Sequence, residues 1–105
     1  MIELNDILRT TGKGGKIQMT PSVYDLDPRL KGRAFSALAQ YNAFHRDSDH
    51  DAGILIFAGY SFIWQIEYRS SDGEGRSPDP SDPDKTLRVL TLAVSDDLLT
   101  GNLRW

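Results

Sequence analysis

The chain has 105 residues, no cysteine, and twelve Lys and Arg against fifteen Asp and Glu, a formal charge of −3. That length fits one compact domain with a modest core, and the missing thiols exclude disulfides, thiolate metal sites and a cysteine nucleophile. No apolar run approaches the roughly 20 residues that cross a bilayer. The first six residues lack the basic flank and apolar block of a signal peptide, so a cytoplasmic protein with no membrane partner is expected. The charge is unevenly distributed. Residues 1–46 carry seven basic and four acidic side chains, a net +3, whereas residues 47–105 carry five and eleven, a net −6. Such a split can orient a protein on a charged partner.

In chain order, Leu4, Ile7, Leu8 and Thr11 fall at helical spacing and predict a short helix over residues 2–11. Gly12 suits the stop, where a left-handed backbone is needed. Gly12-Lys13-Gly14-Gly15 reads as a flexible turn. Lys16-Ile17-Gln18-Met19-Thr20 alternates polar and apolar and predicts a strand closed by Pro21. Asp27 as cap and Pro28 at the first helical position open the main helix. Its apolar stripe of Leu30, Ala34, Ala37, Leu38, Tyr41 and Phe44 carries it over residues 28–44.

An acidic loop follows over residues 45–51. Ile54-Leu55-Ile56-Phe57 and Ser61-Phe62-Ile63-Trp64-Gln65-Ile66-Glu67-Tyr68 then predict a strand pair turned at Ala58-Gly59-Tyr60. Phe62, Trp64, Ile66 and Tyr68 share the apolar face of the second strand, which should pack on the main helix. Residues 86–94 predict a further strand, and residues 95–99 begin a short terminal helix ended by Gly101. The order α-β-α-β-β-β predicts a single α+β domain over residues 1–105, with a mostly antiparallel sheet packed against one main helix. Leu30, Leu38, Tyr41, Trp64, Ile66 and Val89 are the expected core.

Between the last two strands runs Ser71-Asp72-Gly73-Glu74-Gly75-Arg76-Ser77-Pro78-Asp79-Pro80-Ser81-Asp82-Pro83-Asp84-Lys85. Each proline removes a backbone donor and pushes the residue before it out of the helical region. The stretch is therefore expected to be a long surface connection, of the kind that is either functional or disordered. Five acidic residues against Arg76 and Lys85 make it a contact surface for a basic partner.

The chemical motifs are weak. Gly12-Lys13-Gly14-Gly15-Lys16 has the composition of a phosphate loop, but such a loop follows a strand and opens a helix, and here the order is reversed. Asp47, Asp49 and Asp51 have the opening rhythm of a calcium loop. Ala52 then stands where that loop needs glycine, and Ala58 where it needs the bidentate glutamate. His45 and His50 read as solvated rather than metal-bound, so neither a metal nor a cofactor is expected. No serine lies in a nucleophile-elbow pattern and neither histidine has a partner at motif spacing, so no catalytic residue is expected. Trp64 and Tyr68 would stack nucleic-acid bases only if exposed, and their alternation with polar neighbours points to the core. Arg9, Lys13 and Lys16 form too small a basic cluster for direct nucleic-acid binding.

Taken together these segments show a resemblance. Leu4-Asn5-Asp6 with Arg9, Gly12 and Gly14-Gly15-Lys16-Ile17, running into Met19-Thr20-Pro21, resembles the start of a small bacterial family, domain of unknown function 3768. Phe44 with Asp47 and Asp49 is similar to its central acidic segment, and Ile63-Trp64-Gln65-Ile66-Glu67-Tyr68 to its aromatic strand. Ser77-Pro78-Asp79-Pro80-Ser81-Asp82-Pro83 with Arg88-Val89-Leu90-Thr91-Leu92 resembles its closing signature, the most specific of the four. The similarity covers residues 4–92. It departs from the family at a longer central loop with a Tyr-Gly-Glu-His type insertion, shortened here to His50-Asp51-Ala52-Gly53. The resemblance implies no enzymatic activity. It implies a setting on plasmids, phages and other mobile elements, where small acidic proteins inhibit host defences, anti-CRISPR proteins among them.

The expectation is thus a non-enzymatic, mobile-element-encoded inhibitor of a host defence system. Its acidic loops would bind the basic, nucleic-acid-binding surface of a protein complex. Asp47, Asp49, Asp51, Asp72, Glu74, Asp79, Asp82 and Asp84 would supply the complementary charge. The alternatives are a small nucleotide-binding protein or enzyme using the Gly12–Lys16 turn, and a homodimeric regulatory or structural subunit paired through the edge of the residue 86–94 strand.

Overall fold

A computed structural model describes residues 2–44, 46–57 and 59–95, with the side chain of Phe57 excepted. Its elements are α1 (Ile2–Thr11), β1 (Gly15–Met19), α2 (Pro21–Tyr24), α3 (Pro28–Ala39), β2 (Ala52–Phe57), β3 (Tyr60–Ser70) and β4 (Thr86–Val94). The sheet order is β1-β4-β3-β2, with β4 parallel to β1 and antiparallel to β3, and β3 antiparallel to β2. The architecture is α+β, but the sheet is mixed rather than mostly antiparallel. Short turns join only antiparallel neighbours. β1 and β4 are brought together across α2, α3 and the β2–β3 hairpin, and that long return sets them parallel. β4 is consequently central and paired on both sides, so it is not the free edge expected of residues 86–94.

Local chemistry explains most boundaries. Gly12 takes φ +76° and donates its N–H to the Leu8 carbonyl at 2.9 Å, closing α1 in the left-handed stop expected there. Asp27 accepts from the Arg29 amide at 2.9 Å and Pro28 begins α3. The β2–β3 turn is shorter than expected, because Phe57 pairs with Tyr60, and Gly59 supplies the positive φ of +79°. Tyr60 therefore belongs to the strand.

Two helical expectations are corrected. α3 stops at Ala39 instead of continuing to Phe44, and Arg9 Nη1 donates to the Leu38 and Ala39 carbonyls at 3.1 and 3.0 Å where the helix ends. Tyr41 and Phe44 still face the core, but from the loop, as edge-to-face partners of Trp64 with ring centroids 5.5 and 6.1 Å away. In addition, Pro21 does more than close β1: it opens the one-turn helix α2, which buries Val23.

Helices α1, α2 and α3 contribute to one core against one face of the sheet. Leu8, Val23, Ala34 and Leu38 meet Leu55, Phe62, Trp64, Ile66, Leu90 and Leu92 there, which confirms the apolar face assigned to β3. Leu30 and Tyr41 are half-buried rather than fully enclosed. Val89 is buried on the opposite face, in register with Lys16 and Glu67. The expected helix over residues 95–99 lies beyond Ser95, outside the described residues. No helix among them is long and apolar enough to cross a membrane.

Candidate functional site

The strand directions gather three loops at one end of the sheet. β1 and β4 start there, β3 ends there and β2 begins there. The residue 12–15 turn, the loop of residues 40–51 and the acidic connection of residues 71–85 therefore share that end.

Arg88 is at the centre. Strand alternation puts it on the same face as Leu90 and Leu92, and only 2% of its surface is exposed. Its Nε donates to Asn5 Oδ1 at 2.9 Å, its Nη2 donates to the Pro80 carbonyl, and its Cζ lies 5.3 Å from the centre of the Tyr68 ring. Asn5, buried on α1, donates its Nδ2 to the Asp49 carbonyl at 2.9 Å and to Tyr68 Oη at 2.8 Å. Tyr68 Oη donates in turn to Asp51 Oδ2 at 3.0 Å. The network ties α1, β3, β4 and both acidic loops together. Burial, with the Asp51 charge, pushes the Tyr68 phenol up to about 12 against the opposing Asn5 hydrogen bond. Burial also lowers the Arg88 pKa, and among the described residues no carboxylate pairs with this guanidinium.

A second cluster packs beside the first. Asp6 Oδ1 receives Arg9 Nη2 at 3.1 Å and lies 3.0 Å from His50 Nδ1. Burial alone would raise the Asp6 pKa, but the His50 and Arg9 hydrogen bonds and charges outweigh it, and the net shift is downward. The His50 ring stacks on Phe44 at 3.8 Å and 6°, and its backbone is left-handed at φ +58°. Arg9 Cζ lies 5.1 Å from the Phe44 ring centre. Arg9 thus closes the end of α3 and sits over an aromatic ring instead of facing a partner.

The acidic connection is a chain of turns. Ser70 N donates to Gly75 O at 2.7 Å and Ser77 N to Tyr68 O at 3.0 Å, flanking an antiparallel bridge between Arg69 and Arg76. Asp72 Oδ1 accepts from Ser70 Oγ and from the Glu74 amide, and Gly73 takes φ +79°. Asp79 Oδ1 accepts from the amide and hydroxyl of Ser81, and Asp82 Oδ1 from the Asp84 amide. Thr86 Oγ1 donates to the Asp79 carbonyl at 2.9 Å. Hydrogen bonding from Ser70 and the Glu74 amide lowers the Asp72 pKa, and bonding from the Ser81 side chain and amide lowers that of Asp79.

Of the eight acidic residues expected to bind a partner, Asp47, Asp49, Asp72, Glu74, Asp79 and Asp84 are exposed. Asp51 and Asp82 are half-buried. Asp51 and Glu74 line one cleft of about 640 Å³ together with Glu67, Tyr68, Arg69 and Arg76. The two acidic loops meet through the Asn5–Arg88 network, to which Asp51 contributes its carboxylate and Asp49 and Pro80 their backbone carbonyls.

The sequence reading missed that network. The signal was present: Arg88 alternates with Leu90, and Asn5 and Arg9 lie four apart on the Leu8 face of α1. The glycine turn, by contrast, is conformational. Gly12 and Gly14 take positive φ, and a Cβ on Gly15 would collide with the Arg88 carbonyl. Among the described residues no group of three or more His, Asp or Glu could hold a metal ion, and His45 and Ala58 lie outside them.

Residues 19–97 match the family described as Protein of unknown function (DUF3768), and the chain belongs to that family. No curated protein and no solved structure matches it.

Proposed function

We propose that this DUF3768 protein is a non-enzymatic interaction protein that presents an acidic end of its sheet to a basic protein surface. The observation that carries this reading is the fixing of both acidic loops to the same sheet end by Asn5 and Arg88. Loops already held in turns lose less conformational freedom on binding than free segments do. The lowered pKa values of Asp72 and Asp79 keep those exposed carboxylates ionised. Complementary charge of this kind chiefly speeds and orients association. A surface that otherwise holds nucleic acid is the basic partner it fits. An inhibitor of a host defence complex carried on a mobile element, anti-CRISPR-like in action, is the setting that the family resemblance implies.

The experiment is affinity capture from host cells, followed by kinetics on the captured partner. Replacing Asp79, Asp82 and Asp84 together by Asn preserves the turns, because an amide oxygen accepts the same backbone hydrogen bonds. The triple variant should fold like the wild type, associate more slowly, and show a weaker dependence on salt. Equal association rates, or wild-type binding insensitive to salt, would remove the acidic surface from the interface.

One observation favours a second reading, a homodimeric subunit. Among the described residues β2 is an edge strand without charge or proline, and it exposes Ile54 at 58% and Ile56 at 79%. Antiparallel pairing of two copies about Leu55 would set Ile54 of each opposite Ile56 of the other. Light scattering should then report a dimer for the wild type and a monomer for Ile56→Lys. A wild-type monomer at high micromolar concentration rejects this reading.

A further inference from the structure

The cleft beside β3 contains two arginines placed directly opposite one another. The hydrogen bonds bridging Arg69 and Arg76 come from their neighbours, Ser70 N to Gly75 O at 2.7 Å and Ser77 N to Tyr68 O at 3.0 Å. This makes Arg69 and Arg76 a non-hydrogen-bonded antiparallel pair, the kind whose side chains share a face and approach most closely. Like charges facing each other in this way destabilise a sheet. Glu67 answers only one of them, with Arg69 Nε and Nη2 at 2.8 and 2.7 Å from its Oε2. Asp51 and Glu74 also line the cleft, but Asp51 Oδ2 accepts from Tyr68, and among the described residues no carboxylate lies within ion-pair distance of Arg76. Although Asp51, Glu67 and Glu74 all line the cleft, the Arg76 guanidinium has none of them as a partner, on a segment held in place by the Asp72 turn. The cleft volume of about 640 Å³ is that of a small-ligand site.

We propose that Arg69 and Arg76 form a fork that binds an oxyanion, the phosphate or carboxylate group of a small ligand. Guanidinium groups match both oxyanions through paired N–H donors. A bound anion would also relieve the repulsion between the two arginines. This site shares its cleft with Asp51 and Glu74 of the acidic contact surface proposed above, but its test does not require that surface to bind a partner.

The test is calorimetry and thermal denaturation of the full chain with inorganic phosphate in one arm and succinate in the other, each against sodium chloride of equal ionic strength. Saturable binding above the chloride control is expected, from phosphate alone if the ligand is a phosphate and from succinate alone if it is a carboxylate. Saturation by both would mark a general oxyanion site. Arg76→Gln should weaken that binding at least tenfold. Its ligand-free melting temperature should equal or exceed the wild-type value, since a like-charge contact is removed. Arg76→Lys, which keeps the charge without the planar fork, should retain only part of the affinity. The proposal fails if neither anion exceeds chloride, if Arg76→Gln binds as tightly as wild type, or if the ligand-free Arg76→Gln protein melts several degrees lower.

Discussion

Replacing Arg88 by alanine tests how the acidic end of the sheet is held. The change removes a hydrogen bond to Asn5 Oδ1 and one to the Pro80 carbonyl, along with the contact over the Tyr68 ring. Hydrogen bonds from a charged group contribute about 1.5–3 kcal/mol each. Part of that is offset, because the buried guanidinium has itself lost hydration, the cause of its lowered pKa. A net loss of about 3 kcal/mol follows, within the range for truncating a large buried side chain and a substantial share of the ~5–15 kcal/mol that stabilises a domain. Urea denaturation measures it. Arg88→Met separates volume from anchoring, since methionine refills the space but donates nothing to Pro80 or Asn5. It should recover much of the global stability, while the amides of Ser77, Asp82 and Lys85 in the connection exchange with solvent faster than in wild type. A loss under about 1 kcal/mol for Arg88→Ala, or wild-type exchange at those amides in Arg88→Met, would show that Arg88 does not hold the loop.

Three further outcomes follow from the packing and the charges. Trp64, 1% exposed between Tyr41, Phe44 and the sheet, should cost about 3–5 kcal/mol when cut to alanine, and a loss below about 1 kcal/mol in chemical denaturation would contradict its burial. Gly53→Ala would place a methyl 2.6 Å from both Trp64 Nε1 and Tyr41 Cζ. It should destabilise by about 1–3 kcal/mol through overpacking, and an unchanged melting temperature would show that the aromatic cluster can move aside. Asp6 has a folded pKa below its ordinary 3.8, so its stabilising effect is present above that value and is lost as the pH falls through the folded value. The stability gap between wild type and Asp6→Asn should therefore close on acidification, and a gap that persists to about pH 2 would mean the carboxylate charge is not its source.

Much of the fold was legible because its signals are local. Gly12 ending α1, Asp27 and Pro28 opening α3, and the alternation in β3 each depend on a few adjacent residues, and each appears where expected. The errors arise where a local pattern has two structural solutions. Tyr41 and Phe44 extend the apolar stripe of α3, yet a loop folded against the same core satisfies that stripe equally well. The parallel pairing of β1 with β4 joins segments more than seventy residues apart, and no window of sequence carries that information. In the acidic connection, the prolines correctly exclude a helix. The serines and aspartates at short spacing carry a second message, since each Asp can hold the backbone two residues on and convert an irregular stretch into successive turns.

The candidate site was less legible, because its anchors are charged residues in buried positions, which composition alone assigns to the surface. The physical resolution lies in the choice of partners. Arg88 bonds to a side-chain amide oxygen and a backbone carbonyl, and Arg9 bonds to two backbone carbonyls as well as to Asp6. Had the loops been anchored by Arg–Asp pairs, the anchoring would have neutralised the carboxylates that give this end of the sheet its charge. With neutral acceptors, a buried cation fixes the Pro80 turn while Asp79 and Asp84 on either side of it stay exposed. The same division explains why Asp51, which does accept a hydrogen bond from the network, is half-buried and already engaged within the fold. An acidic contact surface built on this fold therefore draws on residues 72–84 more than on Asp51, and substitutions that test it belong in the turns of the connection.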